Sequence, residues 1–198
     1  MDRQDKMVIF AGVIILIIAI AGIIYHEKTY VSSEEIEKNS YRVTWEEYSD
    51  EIVENDFVGG DGWENDYIIE MTKENAWIHS IEVKIQWTDN LDFHGFIFPW
   101  NWTDKIDASV DISEMSFSQS SSGYSSIEII ASEELPKDFD VEAKNMEEVN
   151  EIIKDMVMSK VTCKINLSIT SKPLLIDRGN DFTLSIVYHY SIPNIQPL

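Results

Sequence analysis

The stretch Trp77-Ile78-His79-Ser80-Ile81-Glu82-Val83-Lys84-Ile85-Gln86-Trp87 decides the fold class of this 198-residue chain. Trp77, Ile81, Val83, Ile85 and Trp87 fall on one face with His79 among them, while Ser80, Glu82, Lys84 and Gln86 fall on the other. A period of two is that of a strand with one dry and one wet face. The pattern recurs at Val161, Cys163, Ile165, Leu167 and Ile169, and again at Phe182, Leu184, Ile186, Tyr188 and Tyr190. Shorter strands are predicted at 41–45, 67–72, 93–98, 106–112 and 126–131. Turn chemistry separates them: Gly59-Gly60, Lys73-Glu74-Asn75, Pro99-Trp100-Asn101 and Arg178-Gly179-Asn180-Asp181. The Ser-rich run 116–126 reads as a hairpin tip or surface loop.

One segment follows a different period. Met146, Val149, Ile152, Ile153, Met156 and Val157 recur at helical spacing, which predicts a helix of about 13 residues. Asn145 is placed to cap it, and Glu148 to reach back and close a capping box. About eight strands without alternating helices imply antiparallel sheets. The expected fold is therefore mainly β: an antiparallel β-sandwich, jelly-roll or immunoglobulin-like, with one inserted α-helix, occupying residues 41–198.

The other end of the chain is unlike this. Residues 7–25 hold no charge and include eight isoleucines. At 1.5 Å per residue they span about 28 Å, close to the hydrocarbon thickness of a bilayer. With Val8, Phe10, Val13 and Leu16, these isoleucines favour insertion by on the order of 4–7 kcal/mol. The reading is a tail at 1–6, a transmembrane helix at 7–25 acting as a signal anchor, and a tether at 26–40. A removable signal peptide competes, because Ala19-Ile20-Ala21 resembles a cleavage site. Positive charges on the two sides nearly balance. Long domains translocate largely regardless of charge, so the C-terminal domain is expected outside the cell membrane.

Asp2 and Asp5 cancel Arg3 and Lys6, so the net charge of −21 belongs wholly to residues 26–198. Such a surface excludes a nucleic-acid partner, which needs a basic face. A single cysteine excludes an internal disulfide framework and a Cys-rich zinc site.

Two stretches carry a resemblance: Ile81-Glu82-Val83-Lys84-Ile85-Gln86-Trp87-Thr88-Asp89 and Asp177-Arg178-Gly179-Asn180-Asp181-Phe182-Thr183-Leu184-Ser185-Ile186-Val187-Tyr188. With the overall layout, they resemble uncharacterised, membrane-anchored, acidic β-sandwich proteins of the archaeal cell surface. The resemblance implies a place and a fold, and no activity.

Candidate chemistry is sparse. The stretch 50–66 holds seven carboxylates and no Lys or Arg, with Gly59, Gly60 and Gly62 to let the backbone turn. Read as a flexible loop, it offers oxygens for Ca²⁺ through Asp56, Asp61, Glu64 and Asp66, against the alternative of a solvated acidic loop. Asp89 and Asp92 form a weaker Ca²⁺ candidate. Trp100 and Trp102 flank Asn101 on a predicted loop, where rigid rings suit a protein or glycan partner. Asn101 and Asn166 each begin a glycosylation tripeptide. His79 is expected to be a hydrogen-bonded core residue, His189 to lie on a wet face, and Cys163 to be buried and inert. No Gly-x-Ser-x-Gly elbow, phosphate loop or zinc-protease motif occurs, so no enzyme is expected. The function expected is a single-pass surface protein with a non-enzymatic binding or structural sandwich, contacting an envelope protein or a glycan. The alternatives are a subunit or stator of a surface filament and, more remotely, a secreted hydrolase.

Overall fold

A computed structural model of the chain describes residues 16–23, 38–88, 104–170 and 179–198. Residues 16–23 form a helix, α1. Among the described residues no helix is long and apolar enough to cross a membrane. The rest of the expected 7–25 span lies outside them. The contacts divide the chain between Lys38 and Asn39.

Residues 39–198 form an antiparallel β-sandwich. Its strands are β1 (Asn39–Val58), β2 (Trp63–Glu70), β3 (Trp77–Trp87), β4 (Lys105–Ile112), β5 (Phe117–Gly123), β6 (Ser126–Ser132), β7 (Phe139–Ala143), β8 (Lys160–Thr170) and β9 (Asn180–Pro197). One sheet runs β6-β3-β9-β1-β7 and the other β2-β8-β4-β5, with every pairing antiparallel. The inward residues of both sheets meet in one dry layer. Ile81, Val83 and Ile85 of β3 and Leu184 and Ile186 of β9 face Val110 of β4 and Val161 and Ile165 of β8. All are at most 1% exposed. The long period-two runs thus become inner strands of the two sheets, with every second side chain turned into the layer between them.

The remaining expectations need correction in four places. First, the acidic stretch 50–66 is not a loop. Residues 50–58 complete β1, Gly59–Gly62 make a tight turn closed by Gly62 N–H donating to Gly59 O at 2.9 Å, and β2 begins at Trp63. Its alternation is hidden because β7 covers only Asn39–Val43 of β1. The rest of β1 is a sheet edge, and charges along an edge oppose pairing with another chain. Second, the Ser-rich run 116–126 is mostly an edge strand, β5, paired along its length with β4. Hydroxyls serve there because β5 packs on one side only. Third, β7 is an additional strand, in which Phe139, Val141 and Ala143 alternate with Asp140 and Glu142.

Fourth, the helix α2 (Met146–Lys154) spans nine residues. Asn145 Oδ1 accepts from Glu148 N–H at 2.9 Å, as expected. Glu148 reaches back to the N–H of Lys144, not of Asn145. Met146 and Met156 stay exposed, and only Val149 and Ile153 are fully buried. They close a second small core with Tyr41, Val43 and Ala143. Met156 N–H turns back to Ile153 O, and the chain then leaves toward β8, which shortens the helix.

A further departure lies inside the deciding stretch. The β3–β9 register slips between Ile78 and Ser80. This bulge lets Ile78 take an inward position opposite Tyr190, while Trp77 pairs with Ser191 and turns outward. His79 follows Trp77: its ring lies 6.5 Å from that of His189, on the face away from Ile81.

Candidate functional site

Strand register decides which connections share an end. Val58 pairs with Asn180, Trp87 with Phe182, and Gln86 with Ser126. Trp63 pairs with Leu167, Lys105 with Thr170, and Ile106 with Gly123. The connections β1–β2, β3–β4, β5–β6 and β8–β9 therefore leave from one end of the sandwich. The chain enters β1 at the opposite end, where β9 also finishes.

At the four-connection end lies an open cleft of about 810 Å³. β1 contributes Asn55, Asp56 and Phe57, β3 Gln86–Thr88, and β9 Asp181–Thr183, with Ser125 and Ser126 completing the wall. Cross-strand pairing aligns Asn55, Thr183, Gln86 and Ser126 in one row across four strands. Thr183 Oγ1 donates to Asn55 Oδ1 at 2.7 Å, which fixes the amide. Phe57 stands beside them 42% exposed. Among the described residues the lining holds amides, hydroxyls, the Asp181 carboxylate and one bare ring, and no cation; the Asp56 carboxylate turns inward to Trp63. Chemically it suits a neutral, hydroxyl-rich ligand: amides and carboxylates take hydroxyl hydrogens, and a ring packs against C–H faces.

The acidic stretch has another role. Parity places Glu54 and Asp56 on the inward side of β1, at the open seam between the sheets. There Trp63 Nε1 donates to Asp56 Oδ2 at 2.6 Å, and the Tyr67 hydroxyl donates to Glu54. Burial first, and then the Glu54 bond, raise the Tyr67 phenol well above its usual range. Acids of one sheet thus clasp aromatic donors of the other and seal the seam. Glu64 and Asp66 alternate with Trp63 and Asn65 and face away from it, and Asp61 sits exposed in the turn. Among the described residues no group of three or more His, Cys, Asp or Glu comes together to hold a metal ion. Asp89, Asp92, Trp100, Asn101 and Trp102 lie outside the described residues. Asn166 is exposed on the outer face of β8, between Glu64 and Ser109.

A second polar cluster sits at the β3 bulge. His79 is 6% exposed and Ser191 fully buried. Trp77 Nε1, His79 Nε2 and Ser191 Oγ make no hydrogen bond there. Burial depresses the His79 pKa, nearby Glu47 opposes the shift, and His189 adds to it. His189 Nε2 lies 3.5 Å from Glu82. The expected hydrogen bond of His79 is thus absent from its Nε2. Cys163 matches its expectation: it is fully buried, and burial pushes its thiol up to about 12.

Asn55, Thr183, Gln86 and Ser126 were not legible as site residues. Each is an ordinary outward polar residue of its own strand, and only the strand order joins them.

No protein family and no curated protein matches the sequence. Among solved structures, the chain is similar to one of desmodium yellow mottle tymovirus, at 13% identity and a TM-score of 0.30, covering 78% of this chain and 84% of that one. It is also similar to one of the empty head of turnip yellow mosaic virus, at 13% identity and a TM-score of 0.23, covering 78% and 82%.

Proposed function

We propose that this chain is a single-pass membrane-anchored surface protein whose sandwich is a non-enzymatic binding module, with the end cleft taking a glycan. The cleft carries the reading. It is open and lined by aligned amides and hydroxyls beside an exposed ring, and among the described residues its lining holds no cation and no nucleophile–base pair. The fold is read as a jelly roll: setting β7 aside, the orders β1-β9-β3-β6 and β2-β8-β4-β5 support two Greek keys wrapped together. The uncharged run 7–25, of which 16–23 is helical, supports the anchor. The chain enters β1 at the end of the sandwich away from the cleft.

Two measurements test this. The full chain should remain with membranes through alkaline carbonate and release residues 39–198 to external protease; recovery in the aqueous fraction at full length overturns the anchor. On an array of neutral glycans, the chain should retain a subset, and Asn55→Ala with Gln86→Ala should weaken retention at least about tenfold. Binding that ignores these substitutions, or no binding, overturns the cleft reading.

A further inference from the structure

The two flanks of the sandwich differ in a way the cleft does not explain. On one flank, residues 44–58 of β1 carry six carboxylates, and β2 beside it carries three more. On the other flank, β5 and β6 are the outer strands of their sheets. Residues 117–132 there include a single charge, Glu128, in a chain whose net charge is −21. Edge strands are ordinarily protected by charge or proline. The first flank is protected and β6 is not.

The ladder shows what the β6 edge offers. Trp87 N–H donates to Ser125 O and Glu133 N–H to His79 O, so the odd-numbered residues of β6 bond toward β3. In an antiparallel ladder the alternate residues then point their N–H and C=O outward. Ser126, Glu128, Ile130 and Ser132 thus present an open row, and among the described residues no strand pairs with it. Ile130 is 48% exposed.

We propose that this edge is where two copies of the chain join, β6 against β6 antiparallel, merging two five-stranded sheets into one. The sequence is self-complementary about Ile129. A two-fold there pairs Glu128 with the second copy's Ile130 and Ser126 with its Ser132, and keeps the two Glu128 side chains out of register. A slip of one residue turns the open rows out of phase, and a slip of two toward Ser126 sets Glu128 against Glu128; the slip of two the other way sets Ile130 against Ile130 and would show as crosslinking of Ile130→Cys alone. On the opposite flank a second copy meets like charge, and the β5 edge on this flank lacks the apolar residue that Ile130 supplies on β6. Because the residual opposition between copies is long-range repulsion, added salt strengthens the dimer.

The test uses the full chain in mild detergent with Glu128→Cys and Ile130→Cys as separate variants. Paired positions in a hydrogen-bonded antiparallel rung sit about 5.5 Å apart at Cα, within disulfide range. Oxidation should crosslink a mixture of the two variants and leave either one alone uncrosslinked; Cys163, buried, stays out of the reaction. Ile130→Pro removes an N–H that bonds nothing in β3, so it should melt near wild type yet sediment as a monomer. Ile130→Lys is the second variant should proline disturb the strand. Sedimentation from 50 to 500 mM NaCl should show tighter association with salt. No crosslink in the mixture, equal crosslinking in the single variants, or a dimer undiminished by both Ile130 substitutions overturns the proposal; the last points to association through the N-terminal segment.

Discussion

Gly179 leads into β9 at φ +119°, a region reserved for glycine. A Cβ built there would lie 2.1 Å from the carbonyl oxygen of Val58 and 2.8 Å from the Cα of Gly59. Both are backbone atoms, so no side chain can rotate aside. For Gly179→Ala the conformational cost is about 1–3 kcal/mol. The crowding adds about 1–3 kcal/mol. A total near 4 kcal/mol, in a unit of 160 residues, lowers Tm by roughly 8–16 °C. Gly60, next in the chain to the Gly59 that Gly179 approaches, is the control: nothing lies within 4 Å of its Cβ, and its φ is not positive. Gly60→Ala should leave Tm unchanged or raise it slightly, by about 0.4–1 kcal/mol. Thermal melts followed by circular dichroism measure both. The strain falls at the start of β9, so Gly179→Ala should also weaken cleft binding, since Asp181–Thr183 line that cleft. A Gly179→Ala protein that melts within about 2 °C of wild type refutes the reasoning, because the close approach of β9 to the β1–β2 turn would then not exist.

Three further outcomes follow from the sandwich. Ile186→Ala should cost about 3–5 kcal/mol in chemical denaturation, since Ile186 is fully buried between Ile52 and Val83 on a stiff sheet; Ser185→Ala, on the other face and bonded only to Glu51, should cost about 1 kcal/mol. Equal costs would deny the two-faced strand. His79 is less basic folded than unfolded, so its contribution to stability is full above about pH 6.5 and is lost as pH falls toward the folded value. His79→Gln should flatten that part of the stability profile, with Glu47 and His189 left in place; an unchanged profile would assign the slope to other groups. Cys163 should resist iodoacetamide at pH 8 in the native protein and react fully once unfolded, by intact mass; native labelling at the denatured rate would contradict its burial.

The central strands β3, β8 and β9 were readable because each has partners on both sides, so burial imposes a clean alternation. The edges were not. The stretch 50–66 read as an acidic loop, metal-binding or merely solvated, since the edge part of β1 exposes both faces and its acids carry no visible period. β5 looked like a loop for the same reason. The bulge at His79 was unreadable because one extra residue reverses parity without changing composition. The carboxylates offered for Ca²⁺ were counted correctly, but Asp56 and its neighbour Glu54 are taken by Trp63 and Tyr67 of the facing sheet, contacts that no local spacing encodes.

By itself, the amino-acid order pointed, over residues 41–198, to antiparallel strands around a dry layer with the negative charge outside it, because hydrophobic sorting acts on each strand separately. Which strands neighbour one another, which connections share an end, and how Asn55, Thr183, Gln86 and Ser126 come into one row were decided only in three dimensions. Pairing couples residues more than a hundred positions apart, and the backbone hydrogen bonds that enforce it are the same for every side chain.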